Sequence, residues 1–180
     1  ENSSTPVQQV IDPTLLMTQE DFETIAVPER LVQEKYLLLY ARRYNKKMFD
    51  YAEILADKNG WKIVDISLRA TNAGKHRMFY EAGVEEFLSL VRHAEYVVTN
   101  SFHGMIIAVH YRRPFVVFSR EQCDIKIDEV LELMGLANRK IVIGDDVIMD
   151  SIDYDDVHSR IKEAATKSLE FLFNALKNCK

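Results

Sequence analysis

The feature that most constrains the fold of this chain is a repeated alternation between short apolar runs and longer amphipathic segments. Four runs lie in the stretches EKYLLLYARR, WKIVDISL, EYVVT and PFVVFS, and they are rich in β-branched and aromatic residues. They lack a regular alternation of polar and apolar side chains, which is typical of strands buried on both faces of a parallel sheet. The sequence therefore predicts an α/β fold, a Rossmann-like parallel sheet with helices on both faces. A fifth strand is predicted at RKIVIG.

Helical segments with recognisable ends separate the predicted strands. Asn45 can cap the helix after the first strand, and Gly60 stands where a C-terminal glycine belongs. A short helix is expected after Thr18 in the first thirty residues. Further helices are predicted at GVEEFLSLVRHA, HGMIIAVHYR and KIDEVLELMG, and a long C-terminal helix is predicted from about Tyr154 to Asn178.

Length and the start of the sequence suggest the domain organisation. The 180 residues, 47% of them hydrophobic, suit one domain with a buried core. The chain opens without Met in a polar stretch containing proline, so we expect part of a longer protein. Residues 1–30 are predicted to be a linker and short helix that join a missing N-terminal half. Residues 31–150 would form the Rossmann-like domain, and 151–180 a helix that packs on it or on the missing domain.

Charge and cysteine content exclude several classes of protein. A formal net charge of -5 argues against general binding to nucleic acid or to anionic membranes. The two cysteines, Cys123 and Cys179, have no metal-ligand spacing and form no disulfide framework. No apolar run approaches the roughly 20 residues that span a bilayer. The expected place is the reducing cytoplasm, with the inner face of the membrane as an alternative, and no metal or cofactor is predicted.

Candidate binding residues follow the predicted strands. In open parallel sheets, ligands bind outside the carboxyl ends of the strands. In this acidic chain a basic residue follows each of the first four strands, which would concentrate positive charge at one edge. The residues expected there include Arg42, Arg69, Asn100, Ser101, His103 and Arg120. The loop RATNAGKHR adds further cations, and it is either a solvated basic loop or part of an anion site.

The turn TNSFHG leads from the third predicted strand directly into a helix. Backbone N–H groups and the positive end of the helix dipole favour phosphate or carboxylate at such a place. Ser101 can cap the helix, and Gly104 permits a close approach. His103 is either an acid or base at this site or a structural histidine, whereas His110, in the apolar helix, is expected to be a satisfied core residue. Neither a Walker motif nor a dinucleotide glycine fingerprint is present.

Several of these segments together resemble one known family. The order DPTLLMTQEDF, KYLLLYA, GVEEFLSLVRHAEYVVTNSFHGMIIAVHYRRPFVVF and KIDEVLELMGL is similar to the C-terminal half of polysaccharide pyruvyl transferases. The resemblance covers roughly residues 10–136 and is most specific from Glu85 to Phe118. It implies the C-terminal domain of a two-domain enzyme similar to GT-B glycosyltransferases.

The activity that this resemblance implies is transfer of an enolpyruvyl unit from phosphoenolpyruvate to a sugar hydroxyl. The acceptor would be a polysaccharide or lipid-linked saccharide of the cell envelope, and the product a pyruvate ketal. Phosphoenolpyruvate would be the donor substrate, and the missing N-terminal domain would complete the enzyme. No separate cofactor is implied.

Site residues follow from the same resemblance. His103 matches the histidine of the family's Arg-x-His-Gly or Ser-Phe-His-Gly motif, and the resemblance implies that it acts as acid or base. Many members carry an arginine where this chain has Ser101, so other cations would have to bind the donor. The candidates are Arg42, Arg69, Arg120 and Lys126, of which Lys126 matches a lysine that many relatives carry.

Two other functions remain open from the sequence. A GT-B glycosyltransferase could hold a nucleotide sugar at the same sheet edge, with Glu86 bonding the ribose. A non-catalytic module that binds saccharides or anions could also keep this fold, and Ser101 is the feature that most favours it.

Overall fold

A single parallel sheet forms the centre of the protein. The computed structural model describes residues 7–67, 70–119, 124–141 and 148–178. Within them, six strands pair in the order β3-β2-β1-β4-β5-β6, and every pairing is parallel. They are β1 (Tyr36–Tyr40), β2 (Lys62–Ile66), β3 (Arg77–Met78), β4 (Tyr96–Thr99), β5 (Phe115–Phe118) and β6 (Lys140–Ile141). This is the strand order of a doubly wound Rossmann sheet, so the predicted α/β fold is confirmed.

Six α-helices lie within the described residues, and all were predicted. They are α1 (Gln19–Glu23), α2 (Lys46–Asn59), α3 (Val84–Arg92), α4 (Phe102–His110), α5 (Asp124–Met134) and α6 (Tyr154–Asn178). Short 3-10 helices occur at Pro13–Leu15, Ala70–Asn72 and Ala137–Arg139. The strand β3 was not predicted, because its two residues include no apolar run. Beyond Ile141, the rest of the predicted fifth strand lies outside the described residues.

The ends of α2 are set by the residues that the sequence indicated. The Asn45 side chain accepts a hydrogen bond from Met48 N at 3.3 Å and so caps the first turn. At the other end Gly60 has a φ of 67°, in the left-handed region, where a residue with a Cβ would be strained. The helix therefore returns the chain directly to β2.

The two faces of the sheet are covered by different helices. Leu38 packs into a cluster with residues of α3, α4, α5 and α6, whereas Leu37 and Leu39 pack with α2 on the other face. All three leucines are fully buried. Burial on both faces explains why the strand sequences are continuously apolar, and it confirms helices on both faces.

The first and last helices pack on the same core as the strands. Phe22 of α1 and Val157 and Ile161 of α6 are buried in the cluster that covers one face. Two histidines connect α4 to the two ends of the chain. His110 Nε2 of α4 lies 3.0 Å from Thr14 O in the 3-10 helix before α1, and His158 Nε2 of α6 lies 3.2 Å from Val109 O of α4. Burial lowers the pKa of both imidazoles. As expected for His110, both are structural.

Within the described part of the chain, no helix has the combination of length and apolar character needed to cross a membrane.

Candidate functional site

The candidate site lies where the strand order of the sheet reverses. From β1 the chain proceeds to β2 on one side of the sheet, whereas from β4 it proceeds to β5 on the other side. In doubly wound sheets this reversal opens a crevice at the carboxyl ends of the two central strands. Here the last pair in that register is Tyr40 and Thr99. The residues that follow them are therefore the first candidates for binding.

Two buried side chains hold the ends of β1 and β4 together. Thr99 Oγ1 donates a hydrogen bond to Tyr40 O at 2.8 Å. The Asn100 amide accepts from Arg42 N at 2.8 Å and donates to Arg43 O at 2.7 Å. Asn100 is 2% exposed, and both of its amide atoms are used inside the protein. Asn100 thus fixes the backbone from which the Arg42 and Arg43 side chains start.

The first turn of α4 combines a side-chain cap with free backbone donors. Ser101 is buried; its hydroxyl accepts from Gly104 N at 3.3 Å and its N–H donates to Thr99 Oγ1 at 3.0 Å. Across residues 7–67, 70–119, 124–141 and 148–178, the N–H groups of Phe102 and His103 have no hydrogen-bond acceptor. Such groups, with the helix dipole, make the start of a helix attractive to an anion.

Gly104 lets α4 approach the sheet closely. A Cβ at this position would lie 2.8 Å from Thr99 Oγ1 and 2.8 Å from Tyr40 Cδ1, closer than non-bonded atoms can stand. The glycine in the motif is therefore required by the packing of the helix against the ends of β1 and β4. The sequence indicated that Gly104 permits a close approach to α4, and in the structure the groups that approach it closely belong to the ends of β1 and β4.

His103 is the exposed residue of an otherwise buried helix. It is the second residue of α4, and all other residues from Phe102 to His110 are buried. Its ring contacts Phe102 edge to face, with centroids 5.3 Å apart. The imidazole is therefore exposed to solvent, in the same turn as the N–H groups of Phe102 and His103.

Lys126 lies beside the same turn, but its charge is paired. Its Nζ is 4.0 Å from the centroid of the Phe102 ring and 2.6 Å from Asp12 Oδ2. Partial burial of the Asp12 carboxyl opposes ionisation, but hydrogen bonds from Lys126 and Thr14 outweigh it and lower the pKa of Asp12 from 3.8 to about 2. The ion pair fastens the N-terminal segment to α5.

We expect Asp12→Asn to reduce the free energy of unfolding by about 1 kcal/mol at pH 7, with the half exposure of Lys126 limiting the effect. Because the folded pKa is lowered, the stabilisation is present above pH 3.8 and lost as the pH falls towards 2. Urea unfolding across that range measures it. The difference between wild type and variant should vanish at the acid end, while Glu163→Gln, at an exposed pair, should change little. An equal difference at all pH values would contradict this.

The other predicted cations are placed unequally. Arg42 is exposed, and within the described segments its guanidinium has no hydrogen bond or ion pair. Arg69 and Arg120 lie outside the described residues. Arg42 is therefore the predicted arginine that the structure places at the crevice.

The described basic residues of the loop RATNAGKHR are paired with carboxylates. His76 Nδ1 donates to Asp65 Oδ2 at 3.0 Å, Lys75 Nζ lies 3.4 Å from Glu53 Oε1, and Arg77 lies 3.7 Å from Glu34 Oε2. The His76 side chain is buried, so the described part of the loop is neither fully solvated nor a cluster of unpaired basic groups.

The Asp65–His76 pair was missed by sequence reasoning. Asp65 is fully buried, and it also accepts from Asn72 Nδ2 at 2.8 Å. The available signal was a charged residue inside an otherwise apolar strand, because a buried carboxylate requires partners. The pair fixes the loop against β2 and the adjacent face of α2.

Glu86, considered for a ribose hydroxyl, is used locally. Its Oε2 accepts from Gly83 N at 3.0 Å, which caps the start of α3.

The described residues contain no cluster of three or more His, Cys, Asp or Glu side chains that could hold a metal ion.

The sheet order and the reversal point define a Rossmann-like domain, with the start of α4 at the carboxyl ends of the central strands. A family model described as polysaccharide pyruvyl transferase matches residues 1–122. Since the match covers more than half of the sequence, the chain belongs to the polysaccharide pyruvyl transferase family, which is a family of transferases.

One solved structure that the chain resembles is the ADP-heptose lipopolysaccharide heptosyltransferase II of E. coli, with a TM-score of 0.42 and 16% identity. The alignment covers 88% of this chain and 53% of that one, so the chain spans about half the length of the heptosyltransferase. No curated protein matches the sequence significantly.

Proposed function

We propose that this chain is the donor-binding part of an enzyme that transfers a pyruvyl unit from phosphoenolpyruvate to saccharide hydroxyls. One observation carries the proposal: an exposed histidine, His103, stands at the reversal point of the sheet, in a helix turn where the N–H groups of Phe102 and His103 have no acceptor among the described residues. The family assignment supports a transferase that acts on a saccharide.

Phosphoenolpyruvate carries two anionic groups, a phosphate and a carboxylate, and the crevice offers hydrogen-bond donors for both. The N–H groups of Phe102 and His103 and the dipole of α4 suit one group. Arg42, whose backbone is held by Asn100, suits the other, because a guanidinium bonds a carboxylate or phosphate through two N–H groups. Arg69 and Arg120 remain proposed contributors from the sequence.

The chemistry needs an acid or base close to the donor carbons. Protonation of the methylene carbon makes the neighbouring carbon electrophilic; a first sugar hydroxyl forms a C–O bond there. Phosphate then leaves, and a second hydroxyl closes the ketal. The protons balance. The two hydroxyl groups release two protons; one replaces the proton added to the methylene carbon, and the other leaves with phosphate. His103 is proposed to carry the proton to or from these atoms.

Ser101 and Lys126 have lesser roles in this scheme. The Ser101 hydroxyl caps α4, so its contribution is to present the helix start rather than to bind through its side chain. Lys126 lies over Phe102 and adds positive charge near the turn, although Asp12 shares that charge. Neither replaces the arginine that many members of the family carry at position 101.

The whole enzyme is proposed to have two domains of the GT-B kind, with the acceptor and the N-terminal domain facing this crevice. The proposed place is the cytoplasm or the inner face of the membrane, where saccharide precursors of the cell envelope are assembled.

Ligand-induced thermal stabilisation of the full-length protein tests the choice of donor. A ligand that binds only the folded state raises the unfolding temperature according to its affinity. We expect phosphoenolpyruvate to stabilise the protein and a panel of nucleotide sugars to have no effect. Stabilisation by a nucleotide sugar alone would favour a glycosyltransferase. Saccharide binding with no effect of phosphoenolpyruvate would favour a non-catalytic module.

We expect Arg42→Ala to raise the KM for phosphoenolpyruvate about tenfold, which corresponds to about 1.4 kcal/mol, because one charged contact to the donor is lost. Initial rates of phosphate release against donor concentration measure the change. Lys62→Ala is the control, since it removes one exposed positive charge at the amino edge of the sheet. Equal KM values in wild type and Arg42→Ala would contradict a donor contact.

A further inference from the structure

We infer that a cavity beside the ends of β1 and β2 binds a neutral sugar ring of the acceptor; this rests on the proposed function and names a subsite for its second substrate. The cavity has a volume of about 310 Å³. Small-molecule sites measure about 300–1,000 Å³, so this one suits one or two rings rather than a long glycan.

The lining is aromatic and contains no carboxylate among the described residues. Five rings contribute to it, together with the chain at Arg42 and Arg43; the rings are those of Tyr40, Tyr44, Phe49, Phe79 and Tyr80. Flat rings suit the C–H face of a pyranose, while the phenol groups of Tyr40 and Tyr80 suit its hydroxyls. Phosphoenolpyruvate offers a single apolar CH₂ group, so it would leave most of this aromatic surface uncovered.

Contacts behind the rings of Tyr44, Phe49 and Phe79 hold part of the cavity wall in place. The Tyr44 and Phe49 rings are 5.2 Å apart, and Phe49 stacks on His76 at 6.4 Å between centroids. His76 is held in turn by the buried carboxylate of Asp65. On the other side, the Arg77 guanidinium lies 5.3 Å above the Phe79 ring. A wall fixed before binding loses little conformational entropy when a ligand is bound.

The cavity also lies next to the proposed reaction centre. Tyr40 lines it, and the same ring packs against Gly104 in the first turn of α4, so that a Cβ there would stand 2.8 Å from Tyr40 Cδ1. His103 precedes Gly104 in that turn. A sugar ring in the cavity therefore lies beside the turn where the donor is proposed to bind.

Saturation-transfer NMR on the full-length protein tests this assignment with methyl glycosides of glucose, galactose, mannose, N-acetylglucosamine and N-acetylmannosamine as probes. We expect at least one glycoside to receive saturation at its ring C–H groups. Tyr80→Ala, which removes a ring that is 48% exposed, should weaken the binding of that glycoside about tenfold. Tyr80→Phe, which keeps the ring, should bind it about as tightly as wild type does. Ile54→Ala, at a 59% exposed side chain of α2 outside the cavity, is the control and should bind as wild type does.

The outcomes separate the cavity from the donor site. No saturation of any glycoside, or equal affinity in wild type and Tyr80→Ala, would overturn the sugar assignment. So would loss of phosphoenolpyruvate binding in Tyr80→Ala with glycoside binding intact. Glycoside binding that depends on Tyr80, in a protein that phosphoenolpyruvate does not stabilise, would support the cavity and contradict the proposed donor.

Discussion

His103→Ala is expected to lower the rate of saccharide-dependent phosphate release by a factor of about 10² to 10⁴, the range for loss of a general acid or base. The imidazole is the exposed side chain of the first turn of α4, and an imidazole can serve as a general acid or base. If it carries the proton to or from the donor, its removal affects the chemical step more than binding. The loss should therefore appear in kcat, with the KM for phosphoenolpyruvate changed little.

The same substitution should leave the fold intact. His103 is exposed, and its one ring contact within the described residues is with its neighbour Phe102. The unfolding temperature of the variant should therefore equal that of wild type. His93→Ala is a matched control. The His93 Nδ1 atom lies 2.9 Å from Ser89 O, and the residue precedes β4, at the amino end of that strand and away from the candidate site. A control enzyme with normal kcat and a His103→Ala enzyme with unchanged kcat would together exclude the proton-transfer role.

Gly104→Ala is expected to destabilise the protein by about 1–3 kcal/mol and to lower activity as well. Alanine favours a helix over glycine by about 1 kcal/mol, so in open space the change would stabilise α4. Here the new methyl group would stand 2.8 Å from Thr99 Oγ1, which is locked by hydrogen bonds to Tyr40 O and from Ser101 N. The helix must move away from the sheet, and the overlap outweighs the gain in propensity.

Gly74→Ala separates this overlap from the general effect of replacing a glycine. Among the described residues, no heavy atom lies within 4 Å of a Cβ built on Gly74, and its φ is not in the left-handed region. Urea unfolding should therefore give the same free energy for Gly74→Ala as for wild type, or a slightly higher one. A Gly104→Ala protein as stable as the Gly74→Ala protein would show that the helix can shift at no cost.

Much of the fold could be predicted because local signals and burial agree. Strands such as YLLLY are apolar throughout since both of their faces are covered, and the caps at Asn45 and Thr18 form as their side chains indicate. β3 could not be predicted, because Arg77 and Met78 pair with β2 through their backbones and carry no periodic pattern.

The candidate site could be predicted only in part, for a related reason. The position of His103 follows from the strand-to-helix turn, which is local in sequence. The role of Asn100 depends on Arg42 and Arg43, more than 50 residues away, and no local pattern reports such a contact. The pairing of His76 with Asp65 was hidden similarly, because the loop reads as basic until its carboxylate partners are known.

The most direct test of the central claim is to incubate the full-length protein with phosphoenolpyruvate and a saccharide acceptor and to follow inorganic phosphate and the saccharide by NMR. We expect one phosphate for each new ketal carbon that bears a methyl and a carboxylate group. Phosphate should not appear without the saccharide. Pyruvyl transfer at this site would be contradicted if no phosphate were released. It would also be contradicted if phosphoenolpyruvate were hydrolysed to free pyruvate and phosphate at a rate independent of saccharide.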